Sequence, residues 1–333
     1  MSTHPTAAAM RNGLFEIPDF RFESGESFDR LRLGYSIHGQ MNARRDNVIL
    51  VMPGTSHDRH GVLGHVGVDR AFDTDRFCVV CSDSIGGGAS SGPADGLRGA
   101  FPRYSIRDMV HAQHRMVREG LGLGDTPLHA VAGVSMGAFQ SLEWVIHHPE
   151  SVRKAVLIVP AWRSGQVIRN ATRRMIDFIE LDARWQAGAY TEQPVQGLGA
   201  AGRHYFAWTV TDAYLEAIGE AAEGEAGIIG ERFAQWDAWS IVRRYQASGA
   251  HDVSAPFGGD LQAALARVRA QVLVLPCTQD RLLGIESARQ IAQGIASAEL
   301  AEIDSPTGHL AYRPIPGAAA SDFITQRVRA FLD

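Results

Sequence analysis

Short, uninterrupted apolar runs separated by turn residues dominate the pattern of this chain. Val48–Met52 is apolar throughout and closes on Pro53-Gly54; Phe77–Cys81 repeats the arrangement ahead of a glycine-rich stretch, 85–93. Runs too short for a helix and apolar at every position predict strands buried on both faces. Leu128–Val134, Ala155–Val159 and Val272–Leu275 read the same way, and Leu300–Ile303 reads as a sixth strand of this kind. Between them, Ser105 is placed as the N-cap of a helix running towards Leu121, and helices are expected over Met136–His147 and Ser321–Leu332. Residues 1–30 read as a loose arm with one or two early strands. Strands alternating with helices predict a mostly parallel sheet covered on both faces, the α/β class. The alternation stops at residue 162 and resumes after 260. The interval has helical periodicity, many arginines and the aromatics Trp185, Tyr205, Trp208, Trp236 and Trp239, but no strand. We therefore expect a core domain of residues 1–161 and 261–333, with a helical cap, 162–260, inserted over it.

Composition narrows the function classes. Of 333 residues 45% are apolar and 21% charged, the balance of an ordinary globular chain, and the length suits one large domain with an insertion. The net charge is −5, with no basic block and no basic-aromatic stripe, which argues against nucleic acid and anionic membranes as partners. No apolar stretch is long enough to span a bilayer, and the N-terminus lacks the basic-then-apolar pattern of a secretory leader, so a cytoplasmic location is the expectation. Cys78 and Cys81 form a C-x-x-C spacing, but within a strand positions i and i+3 face opposite sides. With Cys277 they read as small buried hydrophobes, not as a redox pair or zinc site.

The candidate chemistry lies in Gly133-Val-Ser-Met-Gly137. G-x-S-x-G is a weak signal alone, but here an apolar strand enters it and a helix leaves it, the setting of a nucleophile at a sharp strand-to-helix turn. The glycines make room for the turn, and the helix N-terminus favours developing negative charge beside Ser135. A serine hydroxyl needs a base, and the base needs an orienting acid. Asp280 directly follows the apolar strand Val272–Leu275, and His309 lies in a turn after the last strand, in the order Ser, acid, His expected of such enzymes. Asp304 and Asp252 are weaker candidates for the acid. His57, His60, His65, His111, His114, His147 and His148 precede the last strand or lie on helices, and most read as surface residues. Oxyanion donors are expected from the amide of Met136 and from the turn after Val48–Met52, where Thr55 is preferred and Gly54 is the alternative. Nothing in this chemistry requires a metal or a cofactor.

Several segments resemble the homoserine O-acetyltransferases: Asp73-Thr-Asp-Arg-Phe77, the stretch from Phe101 to Val110, the stretch from Gly133 to Trp144, and Pro149-Glu-Ser-Val152. In the cap, Asp182–Tyr190, Gly197-Leu198 and Phe233–Ser240 are similar as well. The resemblance implies an α/β-hydrolase core under a helical cap, often dimeric through the cap, and a ping-pong transfer of acetyl from acetyl-CoA through the serine to a hydroxyl. Three departures stand out. Leu310 follows His309 where the family pattern places an aspartate associated with the substrate amine. Gly202 falls where the family carries an arginine suited to the amino-acid carboxylate, with Arg203 one residue off, about 100° round a helix. Met52-Pro-Gly-Thr-Ser-His57 replaces the family's usual oxyanion turn.

Two readings share every catalytic residue. In the first, water resolves an acyl-Ser135 formed from a small ester, amide or thioester. In the second, an alcohol accepts the acyl group, with acetyl-CoA as donor. The altered recognition positions favour the hydrolase. A non-catalytic binding protein on the same fold is the third, disfavoured by the intact triad. Gly54, Leu310, Tyr312 and Arg203 are candidate pocket residues for a small acyl substrate. The cap arginines Arg163, Arg169, Arg173, Arg174 and Arg203 read either as the lining of an anionic tunnel or, in preference, as a solvated helix face.

Overall fold

A computed structural model describes residues 10–333, so the start of the expected N-terminal arm lies outside the described residues. From residue 11 onward the chain is already strand. β1 (Arg11–Arg21) and β2 (Ser27–His38) form a long antiparallel hairpin whose alternating exposed and buried residues hide it from a search for apolar runs. β3 (Val48–Met52), β4 (Cys78–Ser82), β5 (Leu128–Val134), β6 (Val152–Ile158), β7 (Gln271–Leu275) and β8 (Ala298–Leu300) complete a sheet of order β1-β2-β4-β3-β5-β6-β7-β8. β2 meets β4 antiparallel, and every later pairing is parallel.

The central strands are buried on both sides, as uniform apolar runs require. Val48, Leu50 and Met52 of β3 face one hydrophobic layer, with helices α1 (Ile106–Arg115) and α2 (Met136–His147); Ile49 and Val51 face the other. Cys78 and Cys81 divide between the same two layers, both reduced and buried, and burial pushes their thiols up to about 11 and about 12. Ser105 caps α1 as expected, accepting from the Asp108 amide while Asp108 accepts from the Ser105 amide.

The last strand differs from expectation. Regular pairing covers Ala298–Leu300, and Ile303 meets Cys277 only as an isolated bridge. Pro276, between β7 and that bridge, accepts from the Ile303 amide but has no N–H to return, so the ladder cannot run through.

Between β6 and β7 come α3 (Gln166–Leu181), α4 (Val195–Thr209), α5 (Asp212–Ile218), α6 (Ala221–Ala234) and α7 (Ala238–Gly249). Ile168, Met175, Leu198, Phe206, Phe233 and Tyr245 from these helices belong to the same apolar layer as Val51, Val79 and Leu273 of the sheet. The helices are thus built onto the sheet instead of enclosing a separate core. α8 (Leu261–Leu265) leads into β7, α9 (Glu286–Gly294) connects β7 to β8, and α10 (Ala319–Leu332) follows β8. No helix among the described residues is long and apolar enough to cross a membrane.

Candidate active site

Ser135 stands between β5 and α2 with φ 55° and ψ −117°, a left-handed backbone that a serine adopts only when its surroundings hold it there. Both motif glycines are sterically required. A Cβ on Gly133 would lie 2.7 Å from the Gly137 Cα and closer still to its carbonyl group. A Cβ on Gly137 would lie 2.7 Å from the carbonyl carbon of Met52, at the end of β3. The spacing therefore reflects one tight crossing of β3, β5 and α2, with the serine at its apex. The Ser135 amide is fixed to the Ile158 carbonyl at 2.9 Å.

His309 and Asp280 reach this apex from the ends of later strands. The hydroxyl of Ser135 donates to His309 Nε2 at 2.9 Å, and His309 Nδ1 donates to Asp280 Oδ2 at 2.7 Å. All three side chains are buried. The second carboxylate oxygen, Oδ1, accepts from the amides of Leu282 and Leu283 at 2.8 and 3.1 Å, so the acid cannot rotate away from the imidazole. His309 sits in a 3-10 turn, Gly308–Tyr312, entered through Gly308 at φ 59°. Thr211, from the cap, donates to the Pro306 carbonyl at 2.6 Å and steadies the approach. The weaker candidates lie elsewhere: Asp304 accepts from Gln279 in an exposed setting, and Asp252 accepts from Ser254.

A cavity of about 20 Å³ adjoins Ser135, with Gly54, Thr55, Leu310 and Tyr312 among its walls. Arg203 is exposed and does not line it. The neighbouring Gly202 packs on α6, where a Cβ would meet the Ile229 carbonyl at 2.8 Å, and the turn to residue 203 carries its side chain off that face. Cap residues Tyr205, Thr209, Ile229, Arg232 and Phe233 supply the wall instead. Arg173 and Arg174 pair with Asp177 on the outer face of α3, the solvated arrangement.

Arg232 is not anticipated from the sequence, and His57 appears there only among the histidines rejected as base and as the end of the altered turn. His57 is half-buried at the cavity, its Nε2 accepting from Arg232 at 2.8 Å. Burial first, then the cations of Arg232, Arg244 and Arg313, lower its pKa to about 4, so it is neutral at pH 7. The one available signal was the unusual turn Met52–His57. The expected surface placement fails for other histidines too. His65 is buried with Nε2 donating to the Tyr312 carbonyl at 2.8 Å, and His148 stacks on His114 at 3.8 Å. Beyond His57 and Arg232 a wider groove of about 530 Å³ opens along the glycine-rich turn Gly86–Gly88.

A strained serine at a strand-to-helix turn, a histidine and an acid on successive later turns, and a mostly parallel sheet beneath them define one class of protein. The chain belongs to the alpha/beta hydrolase fold family, whose model matches residues 47–313, and within it to the homoserine O-acetyltransferase-like group. It is 33% identical to a homoserine O-acetyltransferase of Thermobifida fusca, over 86% of each chain. It is also 29% identical to an ethyl acetate hydrolase of Pseudomonas veronii, over 89% of this chain and 88% of that one. Among solved structures, the acetyl esterase MekB superposes with a TM-score of 0.91 at 26% identity, covering 97% of this chain and 96% of the other. Its relatives are enzymes, and so is this chain.

Proposed function

We propose that this chain hydrolyses esters of small, acetyl-sized acids through an acyl-Ser135 intermediate. The observation that carries this reading is the unbroken hydrogen-bonded line from Ser135 through His309 to Asp280, ending at a cavity of only about 20 Å³. A space of that size holds about one water molecule or a methyl group. In the first half-reaction His309 Nε2 takes the Ser135 proton as Oγ attacks the ester carbonyl carbon. Asp280 remains ionised and stabilises the imidazolium. The amides of Thr55 and Met136 receive the oxyanion, the tetrahedral adduct collapses, and His309 returns the proton to the departing alkoxide. Water then adds to the acyl-serine by the same route in reverse, releasing the acid and free Ser135.

Acetyl transfer to an alcohol is the second reading, favoured by the 33% identity to a homoserine O-acetyltransferase. Against homoserine as acceptor stands Leu310, an apolar side chain beside the base where a carboxylate would be needed for an ammonium group. The ethyl acetate hydrolase and acetyl esterase among the relatives support water as the acceptor.

Purified protein supplied with 4-nitrophenyl acetate and with longer-chain esters tests the proposal. Acetate should be preferred, and Ser135→Ala should abolish turnover with an unchanged circular dichroism spectrum. Wild-type activity in that variant would refute the nucleophile. Thiol release from acetyl-CoA that depends on an added alcohol would favour the transferase.

A further inference from the structure

The buried guanidinium of Arg244 has no role in the reaction described above, and its surroundings are unusual. Arg244 lies on α7 of the cap and is completely buried, yet no carboxylate among the described residues pairs with it. Its donors go to backbone carbonyls: Nε to Thr55 at 2.7 Å, Nη2 to Gly54 at 3.2 Å and to His57 at 2.8 Å, and Nη1 to Ile85 at 3.4 Å. The Trp236 ring stacks over it at 5.2 Å. Asp83 and Asp58 attract it only through space, and a buried charge without a direct ion pair costs stability that an apolar side chain of similar volume would not. Three of the four carbonyls belong to one turn, the one that follows β3 and faces Ser135.

The geometry of the peptide unit gives this clamp a consequence. The peptide bonds are trans, so each C=O and the N–H of the same unit point to opposite sides. With the Gly54 carbonyl drawn to Arg244, the Thr55 N–H turns away from α7, and the Thr55 carbonyl does the same for the Ser56 N–H. Gly54, Thr55 and Ser56 all line the cavity beside the nucleophile. Neither the Thr55 nor the Ser56 amide has a backbone acceptor among the described residues. Were the 54–55 unit to rotate, a carbonyl oxygen would replace an N–H at the place where negative charge develops.

We propose that Arg244 is a positioning residue that holds the turn after β3 in the orientation that aims the Thr55 amide at the oxyanion. The oxyanion donor is thereby set from the cap, although the turn belongs to the sheet. The proposal rests on the acyl-serine reading given above.

Arg244→Lys and Arg244→Gln in the full chain test it. Lys keeps the charge but replaces a planar fork with a single ammonium, and Gln removes the charge. Expected are folded proteins with kcat on 4-nitrophenyl acetate lowered roughly ten- to a hundredfold, less for Lys than for Gln. KM should stay within about threefold of wild type, because the effect falls on the transition state. Affinity for a tetrahedral mimic such as a boronic acid should fall by the same factor as kcat/KM. A lowered melting temperature with kcat unchanged would overturn the proposal, and so would failure of both variants to fold, since Arg244 would then be a strut of the cap. Labelling of wild-type Ser135 by a fluorophosphonate separates the two levels. An inactive, unlabelled wild type would sink the acyl-serine reading itself, whereas a labelled, active wild type beside fully active variants would sink only the assignment of Arg244.

Discussion

Gly137→Ala probes the link between fold and site with a single methyl group. The added Cβ would lie 2.7 Å from the Met52 carbonyl carbon, and its other neighbours are the carbonyl oxygens of Met52 and Pro53, so no flexible side chain can yield. Apolar carbons settle at about 3.5–4.0 Å, so relief needs α2 and β3 to part by about 1 Å. Overpacking of this kind costs about 1–3 kcal/mol, and the cost should sit at the upper end because both partners are backbone. The movement is not neutral for chemistry. Met136 begins α2 and Ser135 precedes it, so the same shift displaces the hydroxyl from His309 Nε2, now at 2.9 Å, and the Met136 amide from the oxyanion position proposed for it. A misplacement of about 1 Å costs on the order of a hundredfold in rate. Urea denaturation and steady-state hydrolysis of 4-nitrophenyl acetate measure both effects on one preparation. Gly224→Ala, on the exposed side of α6 and away from the cavity, is the control, since a Cβ there meets nothing within 4 Å. A Gly137→Ala protein within about 0.5 kcal/mol and threefold of wild type would show that the crossing is looser than these distances require.

Acid should destabilise the fold through its buried histidines. Burial lowers His65 to about 4 against an ordinary 6.5, so between these values the unfolded chain takes up a proton that the folded chain refuses. Stability from this group is full above pH 6.5 and falls as pH drops, by about 2 kcal/mol at pH 5; His65→Gln should flatten the pH dependence of the urea midpoint, and an unchanged slope would refute the assignment. Leu310→Asp places a carboxylate beside the base. It should raise homoserine-dependent thiol release from acetyl-CoA, and an unchanged acceptor preference would mean that position 310 does not face the acceptor.

How much of this was legible in the chain depended on whether burial was two-sided. β3, β4 and β5 are enclosed by apolar layers on both faces, so their residues are apolar without interruption and the strands stand out. β1 and β2 form a half-exposed hairpin at the sheet edge, and β8 has only three residues in its ladder, so neither carries such a run. The motif around Ser135 was readable because steric exclusion acts locally: the glycines at 133 and 137 are demanded by atoms a few residues away or on the next strand. Arg203 was misplaced because an alignment to a helix position decides which face a side chain takes, and a slip of one residue moved it from wall to solvent. Arg232 and Arg244 left no pattern at all, and His57 only the unusual turn that it ends. Each is a polar residue on a helix or turn, and its place at the site follows from how α6 and α7 dock on the sheet.

That division bears on what decides the acceptor. The three side chains proposed for catalysis come from loops at the ends of β5, β7 and β8, and a water or an alcohol would be activated by the same imidazole. The walls that admit one or the other combine the turns after β3 and around His309 with Tyr205, Thr209, Ile229, Arg232 and Phe233 from α4 and α6. These walls share the apolar layer of the sheet through Leu198, Phe206 and Phe233, so the cap cannot be exchanged as a detachable lid without repacking the face beneath it. Changes of acceptor are therefore cheapest where a wall residue projects into the cavity without belonging to that layer. Arg232 meets this condition, being half-buried and bonded, among the described residues, only to the neutral ring of His57. Phe233, one residue on and fully packed, does not. Transferase and hydrolase chemistries can in this way share one core and the proposed triad, and differ at a few wall positions such as Leu310 beside His309 and Arg232 on α6.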